Sequence, residues 1–110
     1  MVRSIVGRGE IWLIKLDPTK GSEIKKTRPC LIVSPQEMND YLNTVIIAPM
    51  TTKARPAEFR IPITHDKKQG LILLDQICTI DKARLLKKIG SSTPKTLQAS
   101  LRVLQEAFAI

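Results

Sequence analysis

A glutamate stands five residues before an arginine in Gly21-Ser22-Glu23-Ile24-Lys25-Lys26-Thr27-Arg28-Pro29, across a polar stretch that leads into an apolar run. A carboxylate can take a proton as a general base. A guanidinium can neutralise charge growing on a phosphorane or donate a hydrogen bond to it. The same two side chains would also make a surface ion pair of little energetic worth. Thr51 and Thr52 close a second apolar run, in Pro49-Met50-Thr51-Thr52. Hydroxyls at a strand end can hold phosphate oxygens, although threonine also simply suits such a position. Asp75 lies within Leu71-Ile72-Leu73-Leu74-Asp75-Gln76-Ile77. An acid in such a run is costly unless paired or solvated. Either the run opens into a cleft there, or Asp75 has a partner such as an arginine; a structural and a catalytic role are both open.

Other chemistries lack their residues. There is no H-E-x-x-H, no paired C-x-x-C, and a single histidine, His65, so a protein-built metal site is not expected. His65 falls in Thr64-His65-Asp66-Lys67-Lys68-Gln69-Gly70, which reads as a solvated turn rather than part of a catalytic triad. Gly7-Arg8-Gly9 lacks the rest of a dinucleotide fingerprint, and no Walker lysine motif occurs. No cofactor is expected. The pairs Lys25-Lys26, Lys67-Lys68 and Lys87-Lys88 read as solvated faces, some able to track a phosphate backbone. With aromatics at 4%, a base-stacking platform is not expected, and Trp12 reads as core or rim of the first strand.

Short strands must carry these groups. Glu10–Leu16 alternates, with Trp12, Ile14 and Leu16 on one face. Asp17-Pro18-Thr19-Lys20-Gly21 is a turn signal, and the stretch to Thr27 reads as an exposed loop. Arg28–Ser34 reads as a strand buried on both faces, and Thr44–Thr51 as a β-branched third. Glu58–Ile63 places Phe59, Ile61 and Ile63 on one side, and its Pro62 argues for an edge position. Leu71–Ile80 reads as one long strand, followed by a helical turn capped by Asp81. Lys87–Ile89 fits either a continued turn or a further short strand. At the C-terminus Thr93 can cap a helix that starts at Pro94, with Leu97, Leu101, Leu104 and Phe108 as the stripe that packs on the sheet. The expected fold is mainly β with α, a small antiparallel barrel with a C-terminal helix.

The 110 residues allow one domain, residues 1–110, without repeats or an interdomain linker. Eighteen Lys and Arg against ten Asp and Glu leave a net charge of +8, which draws polyanions without choosing among them. The excess is uneven, for residues 1–30 and 61–110 each carry +4 while residues 31–60 balance. Aliphatic runs stop at four residues, so neither a membrane span nor a signal peptide is expected. Cys30 and Cys78 each sit in an apolar run. They read as a reduced, buried, cytosolic pair, with a disulfide between neighbouring strands left open.

From about Arg8 to the C-terminus the sequence resembles the MazF/PemK family of toxin endoribonucleases. The likeness is carried by Arg8-Gly9-Glu10-Ile11-Trp12, Leu16-Asp17-Pro18-Thr19-Lys20-Gly21-Ser22-Glu23, Thr27-Arg28-Pro29, Leu31-Ile32-Val33-Ser34-Pro35, Asn39, Pro49-Met50-Thr51-Thr52 and Asp75-Gln76-Ile77-Cys78-Thr79-Ile80-Asp81-Lys82. Several dispersed motifs in order make it specific. The resemblance implies an SH3-like barrel acting as a homodimer in the cytoplasm. It implies metal-independent cutting of single-stranded RNA, usually mRNA, at a short sequence, leaving a 2′,3′-cyclic phosphate and a 5′-hydroxyl. A cognate antitoxin with a disordered acidic and apolar tail is the implied partner.

Residue by residue, the resemblance implies Glu23 as general base, Arg28 as phosphate stabiliser and candidate acid, and Thr51 as the group that orients the phosphate. Ser34, Asn39, Thr52, Asp75, Gln76, Lys25 and Lys26 are implied substrate contacts. The plasmid Kid-type branch has a histidine and an arginine where this chain has Ser22 and Leu73, which argues against a His/Arg/Asp mechanism here. Two alternatives stand beside the toxin reading: a non-catalytic SH3-like module that binds RNA or protein, and a gyrase-directed toxin of related fold.

Overall fold

The computed structural model describes residues 5–16 and 27–110. The turn expected at Asp17–Gly21 and the candidate residues Ser22, Glu23, Lys25 and Lys26 lie outside the described residues. Among the described residues seven strands and two α-helices follow in chain order: β1 Glu10–Lys15, β2 Thr27–Ile32, α1 Gln36–Tyr41, β3 Thr44–Thr51, β4 Arg60–His65, β5 Lys68–Leu73, β6 Cys78–Asp81, β7 Leu85–Ser91 and α2 Pro94–Ala107. All pairings are antiparallel, in the order β4-β5-β3-β2-β1-β7, with β6 added beside β3. The sheet is a curled half-barrel, and β4, with its proline, is at the end of the strand path. Residues 87–89 belong to a strand rather than to the preceding turn.

Side-chain alternation sorts the apolar residues into two cores, one per face. Ile11, Leu31, Ala48, Met50, Ile63 and Ile72 form one, which α2 covers with Leu101, Val103 and Leu104. Ile14, Cys30, Ile32, Val45, Ile47 and Ile80 form the other, joined by Trp12, Leu16 and Leu85. The helix is capped as its sequence requires: Thr93 Oγ1 accepts from the Thr96 N–H, with Pro94 in the first turn. Phe108 departs from the expected stripe. It follows the last helical residue and is 74% exposed, because the helix ends before it can turn inward.

The expected long strand Leu71–Ile80 is two strands. Met50 pairs with Ile72 and Ile47 with Cys78, so three steps along β3 face six along the partner segment. A single 3₁₀ turn at Leu74–Gln76 takes up the excess. Leu74 stays buried through that turn, while Asp75 is released to the surface. The helical turn after β6 is present, with Asp81 accepting from the Ala83 N–H.

The cysteines divide. Cys30 is buried and Cys78 exposed, both are free, and their strands flank β3 rather than adjoin. Burial pushes the Cys30 thiol up to about 12, and the nearby Cys78 adds to this. Among the described residues no helix is long and apolar enough to cross a membrane.

Candidate active site groove

Arg28 opens β2, and Thr51 ends β3 two strand positions past Pro49, the partner of Cys30. Both line one groove of about 680 Å³, together with Thr52, Lys53, His65 and Lys68. Its cations outnumber its acids: Arg28, Lys53 and Lys68 stand against Asp66 alone among the described lining residues. Apolar Met50, Ile63 and Ile89 back it. A cationic concavity with an apolar floor suits a phosphodiester and the sugar or base beside it.

The two candidate groups are available. The Arg28 guanidinium makes no hydrogen bond or ion pair with any described residue, and its residue is only half-buried. Thr51 Oγ1 accepts from the Lys53 N–H at 3.2 Å, which leaves the hydroxyl proton free to donate to a phosphate oxygen. Gly70 lets β5 come close here. A Cβ on it would lie 2.8 Å from the Thr51 carbonyl oxygen, so any side chain would push the end of β3 out of place.

The other candidates separate by location. Asp75 is outside the groove lining and holds Arg60 through two hydrogen bonds of 3.1 Å, Nε to Oδ1 and Nη2 to Oδ2. The Arg60 hydrogen bond keeps the Asp75 carboxyl below the usual aspartate range. Arg60 also donates to the Arg55 carbonyl, so the pair ties the loop before β4 to the 3₁₀ turn. Arg60 stands opposite Leu73 in the β4–β5 register, and Leu73 itself is buried. Gln76 lies in the same turn, also outside the groove lining.

Ser34 and Asn39 are each 1% exposed. Ser34 Oγ donates to Asn39 Oδ1 and accepts from the Ile46 N–H, and Asn39 Nδ2 donates to the Ser34 carbonyl. Lys82 Nζ donates to the Asn39 carbonyl. The structure places this pair in a closed network that holds α1 to β3, away from the groove. Thr52 lines the groove beside Thr51. A second hollow of about 630 Å³ shares Thr52, Ile63 and Gly70 with the first and is lined by hydroxyl, amide and apolar residues without a charge.

The residue that the sequence reading left aside is His65. It is half-buried in the groove wall rather than held in a solvated turn. The turn itself is only Asp66 and Lys67, both at positive φ (52° and 63°), between the paired residues His65 and Lys68. The signal available in sequence was parity: Ile61, Ile63 and His65 share one face of β4. Among the described residues there is no group of three or more His, Cys, Asp or Glu side chains that could hold a metal ion.

A curled antiparallel half-barrel with a terminal helix on one face and a cationic groove at its strand ends is a small fold suited to a polyanion such as a nucleic acid. The sequence matches the family described as PemK-like, MazF-like toxin of type II toxin-antitoxin system over residues 7–108. It is 39% identical to Endoribonuclease PemK of Escherichia coli over 101 residues, 86% of this chain and 75% of that protein. The fold is similar to an endoribonuclease from a mycobacterial species, with a TM-score of 0.78 at 25% identity, covering 94% of this chain and 91% of the other. It is also similar to MazF from Deinococcus radiodurans, with a TM-score of 0.82 at 19% identity, covering 98% and 100%. A mycobacterial endoribonuclease in complex with its cognate antitoxin aligns at a TM-score of 0.77 and 25% identity, covering 91% of each chain. The chain belongs to the PemK/MazF toxin family, and as an enzyme it is an endoribonuclease.

Proposed function

We propose that this endoribonuclease cuts single-stranded RNA, mRNA above all, at a short sequence and without a metal ion, through attack of the ribose 2′-oxygen on the adjacent phosphorus. Glu23 takes the 2′-OH proton. Arg28 neutralises the charge that grows on the non-bridging oxygens, and the Thr51 hydroxyl orients them. The products are a 2′,3′-cyclic phosphate and a 5′-hydroxyl. The observation that carries the reading is the meeting of Arg28, which pairs with no described residue, and the Thr51 hydroxyl in one cationic groove. Thr52, Lys53 and Lys68 would hold the flanking backbone, with Lys25 and Lys26, just before β2 in sequence, as further contacts. Asp75 and Gln76 keep a substrate role only where RNA extends beyond the groove, and Ser34 and Asn39 act through the fold.

Membership of the family supports the following setting. A homodimer works in the cytoplasm, and a cognate antitoxin restrains it by laying an acidic and apolar tail over the groove, whose charge and floor it matches. The test is cleavage of a long single-stranded RNA followed on denaturing gels. Wild-type protein should cut in excess EDTA, and Arg28→Ala should lower the rate by about 10²-fold or more while the protein stays folded. Intact RNA that is retained in a salt-dependent way would make the domain a binding module instead. A folded Arg28→Ala protein that cuts at the wild-type rate would overturn the mechanism.

A further inference from the structure

The chemistry above leaves one proton unassigned. When the P–O5′ bond breaks, the departing 5′-oxygen must be protonated. A guanidinium is a poor source, because it holds its proton far above neutral pH. An imidazole exchanges its proton near neutrality, which suits a general acid. The chain has one histidine, and the fold brings it to the groove that holds Arg28 and Thr51.

Three observations make this placement more than proximity. His65 continues the inward face of β4 after Ile61 and Ile63, at the pair where the hairpin closes. Its turn uses two non-glycine residues at positive φ, a conformation that costs Lys67 in particular and persists only when its surroundings demand it. Its ring rests against Gly90 of β7: a Cβ there would lie 3.0 Å from Cε1 and 3.4 Å from Nδ1. Strands β4 and β7 are the two ends of the sheet path, so the imidazole sits where the curl brings its edges together. A larger residue than glycine would crowd the ring. Neither ring nitrogen has a hydrogen-bond partner among the described residues, so the ring is seated by shape and left able to serve a ligand.

Resting on the reading of this groove as the cleavage site, we propose that His65 is a further catalytic residue, the general acid that protonates the leaving 5′-oxygen. The 2′-oxygen loses its proton to Glu23 and forms the new bond to phosphorus. The P–O5′ bond breaks, and its electron pair takes the proton from the imidazolium. One proton is accepted and one is given, and no metal or external reductant or oxidant is needed. The charged groups that line the groove with His65, among the described residues, are Arg28 from β2, Lys53 after β3, and Asp66 and Lys68 from the hairpin, while β7 presents Ile89 to the groove and Gly90 to the ring.

The test uses RNA with a sulfur in place of the bridging 5′-oxygen at a linkage that the wild-type protein cuts. A thiolate leaves without a proton, so it needs no acid. His65→Gln should slow cleavage of ordinary RNA by about 10²-fold or more, as loss of a general acid does, and should cut the sulfur-bridged RNA within about threefold of wild type. Arg28→Ala should be slow on both. His65→Gln that cuts ordinary RNA at the wild-type rate, or is equally slow on both substrates, overturns the proposal. The wild-type protein supplies a second arm that needs no variant. Its rate on ordinary RNA, relative to sulfur-bridged RNA, should fall as pH rises through the range where imidazoles lose their proton; a constant ratio overturns the assignment. Wild-type protein that cuts neither RNA would instead remove the cleavage reading beneath it.

Discussion

At the residue scale the molecule separates groups that hold the fold from groups left unpaired for a ligand. Asn39 is of the first kind, its side-chain amide accepting from the Ser34 hydroxyl and donating to the Ser34 carbonyl while fully enclosed. Asn39→Ala should destabilise the protein by about 2–3 kcal/mol, the cost of a cavity and of polar groups stripped of partners in the interior. Denaturant midpoints at unchanged slope would measure this. The RNA rate per folded molecule should stay near wild type, since the groove lies elsewhere. Asp75 makes a pH prediction of definite sign. Its folded pKa lies below the unfolded one because Arg60 hydrogen-bonds the charged form. The stabilisation is therefore present above the unfolded aspartate value of about 3.9 and is lost as pH falls through the lowered folded value. Wild type should melt above Asp75→Asn at pH 7, and the gap should close on acidification below that range. A gap that persists at pH 2 would assign the difference to something other than this pair.

At the scale of elements, what could be read from sequence was whatever local chemistry alone decides. The helix α2 shows this best, with its threonine cap, its proline start and its leucines. Thr93→Ala removes the acceptor for the Thr96 N–H and should cost about 1 kcal/mol; a melting temperature unchanged within error would show that other groups take over the cap. The strand β3 was legible to both its ends because β-branched residues fill it. The break at Leu74–Gln76 was not. Leu73 and Leu74 are both buried, so the run keeps the look of a strand buried on two faces, and only the register against β3 forces the turn. The helix α1 has six polar and mixed residues with no side-chain cap, too few for a helical period to show. Cys78 stands at the start of β6, where exposure follows from the neighbouring turn and not from its apolar surroundings in sequence.

At the scale of the whole molecule the groove is a product of closure. Arg28 and Thr51 could be singled out one by one, but their meeting depends on β2 and β3 pairing in the observed register. His65 is a stronger case. Its seat is Gly90, on a strand that is five positions away along the sheet path, and no local pattern can announce such a contact. Charge works at this scale too. The +8 net charge attracts any RNA at long range, whereas on the proposed reading the groove selects a phosphate by geometry. These two parts respond differently to salt. With a non-cleavable single-stranded RNA bearing a 2′-deoxy cut site, affinity should fall steeply as salt rises, with a slope near −0.7 for each phosphate neutralised, roughly. Lys53→Ala and Lys68→Ala should each reduce the magnitude of that slope by about one phosphate's worth and weaken cut-site and unrelated RNAs alike. Unchanged slopes in both variants would place the bound strand outside this groove and would remove the electrostatic half of the argument for it.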